Sequence, residues 1–224
     1  MSSRSRVFSS SVGTKLLIGL TGLALFGYLI IHVTGNSLVL IGPDALNGFH
    51  ETMTGNPLLP AIEIGLLLVF LLHIYKTVAM YLANQQARPV KYQTKKGAGP
   101  PSRKTLASST MIVTGSWLVV FLILHVRAFR FPPQHYETAT GAMDLYRIEM
   151  ENLSNPLTVA FYVLSMLIVG SHLWHGASSA LQSLGFDHPR WTPGLLALGK
   201  VASVVIAGGF IVITLWVFFV GGRP

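Results

Sequence analysis

The chain contains no cysteine and few charged residues. Without cysteine it can form no thiolate-ligated haem, no iron–sulfur cluster and no disulfide bond of its own. Charged residues make up 11% of the 224 positions, whereas a soluble globular domain has about 25%. These shortages argue against a soluble domain and against thiol-based metal sites.

Long apolar runs dominate the sequence instead. Hydrophobic residues account for 51% of the chain, and the mean hydropathy is +0.56. Five runs reach the length of about 20 residues that a helix needs to cross a bilayer. They lie near residues 16–34, 59–83, 106–128, 157–181 and 195–220. We therefore predict an all-α integral membrane bundle of five transmembrane helices, forming a single domain over residues 1–224.

Basic residues are concentrated on one side of the predicted membrane. The formal net charge is +8, from 16 lysines and arginines against eight acidic residues. If the N-terminus is cytoplasmic, twelve of the sixteen fall on the cytoplasmic side, which is the positive-inside distribution. We therefore predict a cytoplasmic N-terminus, cytoplasmic loops at Arg88–Lys104 and at Asp187, and an outward C-terminus. Nucleic acid is not an expected partner, and the basic stretch RPVKYQTKK is either a solvated loop or a docking surface for another protein.

Two short motifs recur in the same order in the two halves of the chain. A TG dipeptide at residues 21–22, and again at 114–115, is followed after nine residues by a histidine. An NPL triplet at residues 56–58, and again at 155–157, is followed after fourteen residues by a histidine. In chain order these histidines are His32, His73, His125 and His172. The first and second spans thus resemble the third and fourth.

The four repeated histidines are predicted to lie at two depths in the membrane. With the N-terminus inside, His32 and His125 lie near the outer ends of the first and third spans. His73 and His172 lie about 24 Å along the second and fourth spans, toward the cytoplasmic side. The two levels are then roughly 15 Å apart.

Pairs of imidazoles on facing transmembrane helices are what bis-histidine b-type haem requires. Copper or zinc also accepts imidazole, but a compact metal site would draw its ligands to one level. Histidines that titrate as relays in a non-redox transporter are a further alternative. The pairing by depth favours two haem b groups.

Five stretches carry a resemblance that covers essentially the whole chain. They are SSVGTKLLIGLTGLAL, IHVTGNSLVLIGPDALNGF, NQQARPVKY, NPLTVAFYV and HLWHGASSALQSLG. In this order they are similar to the cytochrome b subunit of bacterial succinate dehydrogenase/fumarate reductase, of the five-helix, two-haem type. The resemblance implies a multi-pass, lipid-embedded anchor in the bacterial cytoplasmic membrane that binds a flavoprotein subunit and an iron–sulfur subunit. It also implies electron exchange with a membrane quinone, expected to be menaquinone, while succinate or fumarate chemistry belongs to the partner subunits.

The same resemblance implies which histidines are haem ligands. His32 and His125 match the ligands of the outer haem, and His73 and His172 match those of the inner haem. The depth argument reaches this pairing independently. A di-haem cytochrome b of a hydrogenase or formate dehydrogenase would share these histidines and differ in its partners.

Further polar residues are candidates for supporting roles. Glu63, the one acid within an apolar span, lies near the level of the outer haem and is a candidate for quinone or proton handling, or for packing. Lys76, with Lys15 and Gln182, is a candidate partner of inner-haem propionates, and snorkelling to the interface is the alternative for the lysines. His175, one helical turn beyond the fourth ligand, is a candidate for contact with a propionate, a quinone or a partner subunit, or for structural packing.

Overall fold

The computed structural model describes residues 10–87, 106–134, 136–186 and 188–221, which are almost entirely helical. In chain order the helices are α1 (Ser11–Asn36), α2 (Pro43–Thr54), α3 (Leu59–Gln86), α4 (Leu106–Phe129), α5 (Leu145–Asn152), α6 (Pro156–Ser183) and α7 (Thr192–Trp216). A 3-10 turn, Ser37–Leu40, continues α1, and a π-helical turn, Val217–Gly221, continues α7. The predicted cytoplasmic loop at Arg88–Lys104 and the position of Asp187 lie outside the described residues, so the orientation in the membrane stays a prediction.

The five predicted spans are confirmed as helices long and apolar enough to cross a membrane. They are α1, α3, α4, α6 and α7, and the last is completed by its π-helical turn. Most extend a few residues beyond the apolar runs because intrahelical hydrogen bonds continue where hydropathy has already fallen. This composition is typical of a multi-pass membrane protein.

The NPL triplets lie at a helix start in one half of the chain and just before a helix start in the other. The Asn155 side chain accepts a hydrogen bond from the Leu157 amide at 2.8 Å, and Pro156 occupies the first turn of α6. The Asn56 side chain accepts from the Leu58 amide at 2.9 Å, just before α3 begins. At α6 the asparagine is the N-cap and satisfies a free amide, while the proline needs no such partner. At α3 the same Asn-Pro turn stands just before the N-cap residue Leu58.

Helix α6 is the central element of the bundle. It packs against α1, α4 and α7, whereas α3 packs mainly against α1. Small residues bring α6 and α7 together: a methyl group added at Gly199 would lie 3.0 Å from the Ala177 Cβ, and one added at Gly170 would lie 3.1 Å from the Ala207 Cβ. Such close approach is how helices associate in lipid, where burial of apolar surface provides no drive.

Large apolar side chains point away from the bundle along its long helices. On α3, for example, Leu67, Leu68 and Leu71 are each more than half exposed. An uncovered apolar surface of this extent suits contact with lipid chains and is unfavourable in water.

Two short helices, which the sequence did not predict, cover one end of the bundle. This is the end where α1 and α4 terminate, and it is called the outer end after the predicted orientation. Asn47 of α2 joins the start of α5: its side-chain amide donates to the Asp144 carboxylate at 2.8 Å and accepts from the Tyr146 backbone N–H at 3.0 Å. Both helices are short and amphipathic, so no long apolar run marks them.

Candidate functional site: paired histidines at two levels

The structure brings His32 and His125 together at the outer end. Their ring centres are 5.8 Å apart, and their planes are nearly perpendicular at 87°. Two imidazoles that each bind one metal ion through a nitrogen about 2 Å away have ring centres about 6 Å apart. The donor set and spacing of this pair therefore fit the two axial positions of one haem iron.

Aromatic side chains enclose the outer pair. Tyr28 stacks on His32 with ring centres 5.3 Å apart, and Phe121 stacks on His125 at 5.5 Å. The Tyr162 hydroxyl lies 3.3 Å from Nδ1 of His125. These rings surround the pair with apolar surface that suits a flat macrocycle.

One hydrogen bond at the outer pair must be exchanged before His32 binds a metal through Nε2. The Asn36 side-chain nitrogen lies 2.8 Å from the His32 carbonyl oxygen and 3.2 Å from His32 Nδ1. An amide nitrogen only donates, so Nδ1 accepts here and Nε2 carries the ring proton. Metal binding at Nε2 requires the opposite tautomer, with the proton on Nδ1, so the Asn36 nitrogen must then move away from Nδ1.

The second pair of histidines is bound to the TG dipeptides of the neighbouring helices. The Thr21 hydroxyl of α1 lies 3.1 Å from Nδ1 of His73 on α3. The Thr114 hydroxyl of α4 lies 3.0 Å from Nδ1 of His172 on α6. The same contact thus occurs twice, between different helices.

These contacts establish the depth of the inner pair. Thr21 precedes His32 on α1 by eleven residues, and Thr114 precedes His125 on α4 by eleven residues. At 1.5 Å per residue, both threonines lie about 16 Å below the outer pair. The two-level arrangement predicted from the sequence is therefore present in the fold. His73 lies at the same depth as His172.

Glu63 lies in the first turns of α3, at the outer end, and forms an ion pair that the sequence did not reveal. Its carboxylate oxygens lie 2.9 Å and 3.3 Å from Nε and Nη2 of Arg130. Both side chains are nearly half exposed, at 42% and 49%. Arg130 immediately follows α4. The predicted spans alone could therefore have shown that Arg130 and Glu63 lie at a similar depth in the membrane.

A partly buried histidine belongs to the same outer polar group. Burial lowers the pKa of His50 on α2, and the positive charge of Arg130 lowers it further. Within the described residues, Nδ1 of His50 is buried without a hydrogen-bond partner. The outer end therefore presents an acid, a guanidinium and an imidazole that is neutral near pH 7.

The polar residues predicted near the inner end are only partly brought together. Lys15 and Gln182 line one cavity of about 400 Å³ that also contacts Met80. Lys76 lies one helical turn before Met80 on α3 and is not among the cavity's lining residues. The cavity lies at the end of the bundle opposite the outer pair.

The structure distinguishes His172 from His175. The ring of His172 contacts the Thr114 hydroxyl. At His175 the contact is made by the backbone instead: its carbonyl oxygen accepts a hydrogen bond from the Ser178 hydroxyl at 2.9 Å. His175 is partly buried. Of the two histidines in HLWHG, only His172 repeats the contact made by His73.

A buried acid at the outer end was not found from the sequence. Glu149 on α5 is 4% exposed, and its Oε2 is buried without a hydrogen-bond partner among the described residues. Burial raises its pKa to about 8, so the side chain is largely protonated at neutral pH. No apolar run surrounds this residue in the sequence, so its burial depends on how α5 packs onto the bundle.

Comparisons with protein-family models, with curated proteins and with solved structures find no match to this chain.

Proposed function

We propose that this chain is the di-haem cytochrome b subunit that anchors a succinate:quinone oxidoreductase in the bacterial cytoplasmic membrane. The observation that carries the proposal is the placement of four imidazoles at two levels about 16 Å apart. The resemblance of the five sequence stretches supplies the type of complex.

Each of the four histidines has a defined part in this proposal. His32 and His125 hold the outer haem, and His73 and His172 hold the inner haem. When bound with both axial positions filled, the haems supply one-electron carriers that do not bind oxygen. The surrounding helices orient the imidazoles and keep water away from them.

Residues near the two levels have supporting parts. Glu63 and its partner Arg130 handle quinone or protons at the outer end, where the ion pair is half exposed and accessible. Lys15 and Gln182, from the cavity at the inner end, bind inner-haem propionates together with Lys76. The quinone substrate comes from the membrane, and menaquinone is the expected type.

The partners in this proposal are the subunits with which the chain would exchange electrons. A flavoprotein subunit oxidises succinate or reduces fumarate, and an iron–sulfur subunit passes electrons to or from the inner haem. A di-haem anchor of a hydrogenase or formate dehydrogenase is the alternative, because it would use the same four histidines with other partners.

Purification of the chain from its native membrane tests the proposal. We expect two b-type haems per chain in a pyridine-haemochrome assay, low-spin spectra, and a flavoprotein and an iron–sulfur protein in mass spectra of the complex. An absence of haem would favour a transporter with titrating histidines. Two haems with a nickel or molybdenum subunit would instead favour the alternative complex.

A further inference from the structure

The TG dipeptides, which the sequence marks only as a repeat, contact the inner histidines directly. The Thr21 hydroxyl also lies 2.6 Å from the Leu17 carbonyl oxygen of its own helix. The Thr114 hydroxyl lies 3.2 Å and 3.1 Å from the carbonyl oxygens of Thr110 and Met111. Each hydroxyl therefore has a backbone acceptor on one side and an imidazole nitrogen on the other.

The position of the ring proton follows from counting donors. A threonine hydroxyl has one proton, and a carbonyl oxygen can only accept. Since Thr21 donates its proton to the Leu17 carbonyl, it can only accept from His73, so Nδ1 of His73 carries the ring proton. A neutral imidazole protonated at Nδ1 has its lone pair on Nε2. This is the tautomer that binds a metal through Nε2.

The glycine of each dipeptide lies against the imidazole, and at Gly22 the lack of a side chain makes room for it. A methyl group added at Gly22 would lie 3.3 Å from Cε1 of His73, and one added at Gly115 would lie 3.6 Å from Cε1 of His172. The first distance is shorter than an ordinary carbon contact, and the second is an ordinary contact. Alanine should therefore displace the ring at Gly22 and be accepted at Gly115.

We propose that Thr21–Gly22 and Thr114–Gly115 are two copies of one positioning device. Each threonine holds a histidine of a neighbouring long helix as the Nδ1–H tautomer and leaves Nε2 free to bind the inner haem iron. The haem part of this inference rests on the proposed function, whereas the tautomer does not. Because a hydrogen bond accepted from Nδ1–H makes Nε2 more basic, it stabilises the oxidised iron and lowers the reduction potential.

Threonine-to-valine variants test the device, because valine keeps the shape and removes the hydroxyl. In the purified complex, we expect T21V and T114V each to raise the midpoint potential of the inner haem and leave that of the outer haem unchanged. Combining them should weaken inner-haem retention on the order of 10-fold to 100-fold. The T21S variant should restore the wild-type potential.

Two threonines of the same helices provide matched controls. Thr34 on α1 and Thr110 on α4 donate to carbonyl oxygens four residues earlier, at 2.8 Å and 3.1 Å. The T34V and T110V variants should shift neither haem. If T21V and T114V behave like these controls, the positioning role is wrong.

A second measurement separates this inference from the proposed function. Nitrogen-15 NMR of the full chain as isolated, reduced so that any low-spin iron is diamagnetic, reports which imidazole nitrogen carries the proton. We expect Nδ1–H at His73 and His172, whether or not haem is present. In T21V we expect His73 to lose this preference only where no haem is bound, because iron at Nε2 by itself keeps the proton on Nδ1. Nδ1–H in a chain that contains no haem would support the positioning role of the threonines and overturn the haem proposal. Nε2–H at these two histidines in a wild-type chain without haem would overturn the device; in a chain with haem, the midpoint potentials of T21V and T114V decide instead.

Discussion

His32 and His125 meet at the outer end of the bundle with their ring centres 5.8 Å apart and their planes at 87°. They lie on α1 and α4, two helices that both pack against α6 and have little contact with each other. Two imidazoles therefore face each other across a pair of helices that make little other contact. The proposed function places one haem between the two rings.

Replacing His125 by alanine should remove one haem and leave the other. The proposed outer haem would lose one of its two histidine ligands, whereas the proposed inner ligands lie about 16 Å away and keep their threonine contacts. Haem content per chain should fall from two to one. The F121L variant is the control, because Phe121 stacks on His125 without being a candidate ligand. Retention of two haems by H125A would contradict the outer assignment.

The two histidines of HLWHG should behave differently when each is replaced by alanine. H172A should remove the inner haem or prevent assembly of the complex, because the ring held by Thr114 is the proposed ligand. H175A should keep both haems, with at most a shifted inner-haem potential or slower turnover. Redox titration followed at the haem absorption bands checks both variants. A His175 variant that loses a haem while the His172 variant keeps two would reverse the assignment.

Replacing Glu63 by glutamine should slow quinone turnover with little effect on stability. An ion pair as exposed as Glu63 with Arg130 contributes at most about 1 kcal/mol, so the protein should still fold. Haem content should remain at two per chain, while the rate with a soluble quinone analogue falls. The matched control is E151Q, because Glu151 pairs with Arg147 at 3.2 Å and the two are similarly exposed. Equal rates in both variants would remove Glu63 from quinone handling.

Glu149 should make the protein less stable as the pH rises. Burial raises its folded-state pKa to about 8 from an ordinary value near 4.5. A raised carboxyl pKa contributes stability that is complete below the unfolded-state value and is lost as the pH rises through the folded-state value. Thermal unfolding of the purified protein should therefore show a falling Tm from about pH 5 to about pH 9.

The E149Q variant should flatten that dependence, because glutamine cannot ionise. It should match wild type at the acidic end and exceed it at the alkaline end. Glu137, an exposed acid that precedes α5, is the control, and E137Q should keep the wild-type slope. A wild-type Tm that does not fall with pH would show that Glu149 is not buried in the protonated form.

Much of the architecture could be predicted from the sequence because it depends on local properties. Five apolar runs identify the long helices, since a segment in hydrocarbon must satisfy its own backbone hydrogen bonds. The rise per residue of a helix is constant, so the spacing of histidines from the helix starts predicts two depths. The NPL triplets form turns at or just before helix starts, through contacts within a few residues.

Contacts between distant residues were decided only by the tertiary structure. The sequence marks TG as a repeat, but only the packing of α1 on α3 and of α4 on α6 brings the hydroxyls of Thr21 and Thr114 to the imidazoles. Glu63 and Arg130 are 67 residues apart and meet because α3 begins at the level where α4 ends. Glu149 is buried because α5 folds over the outer end. Hydropathy and helical rise place a residue along its own helix, but its partners depend on how the helices are rotated and packed, which no local pattern contains.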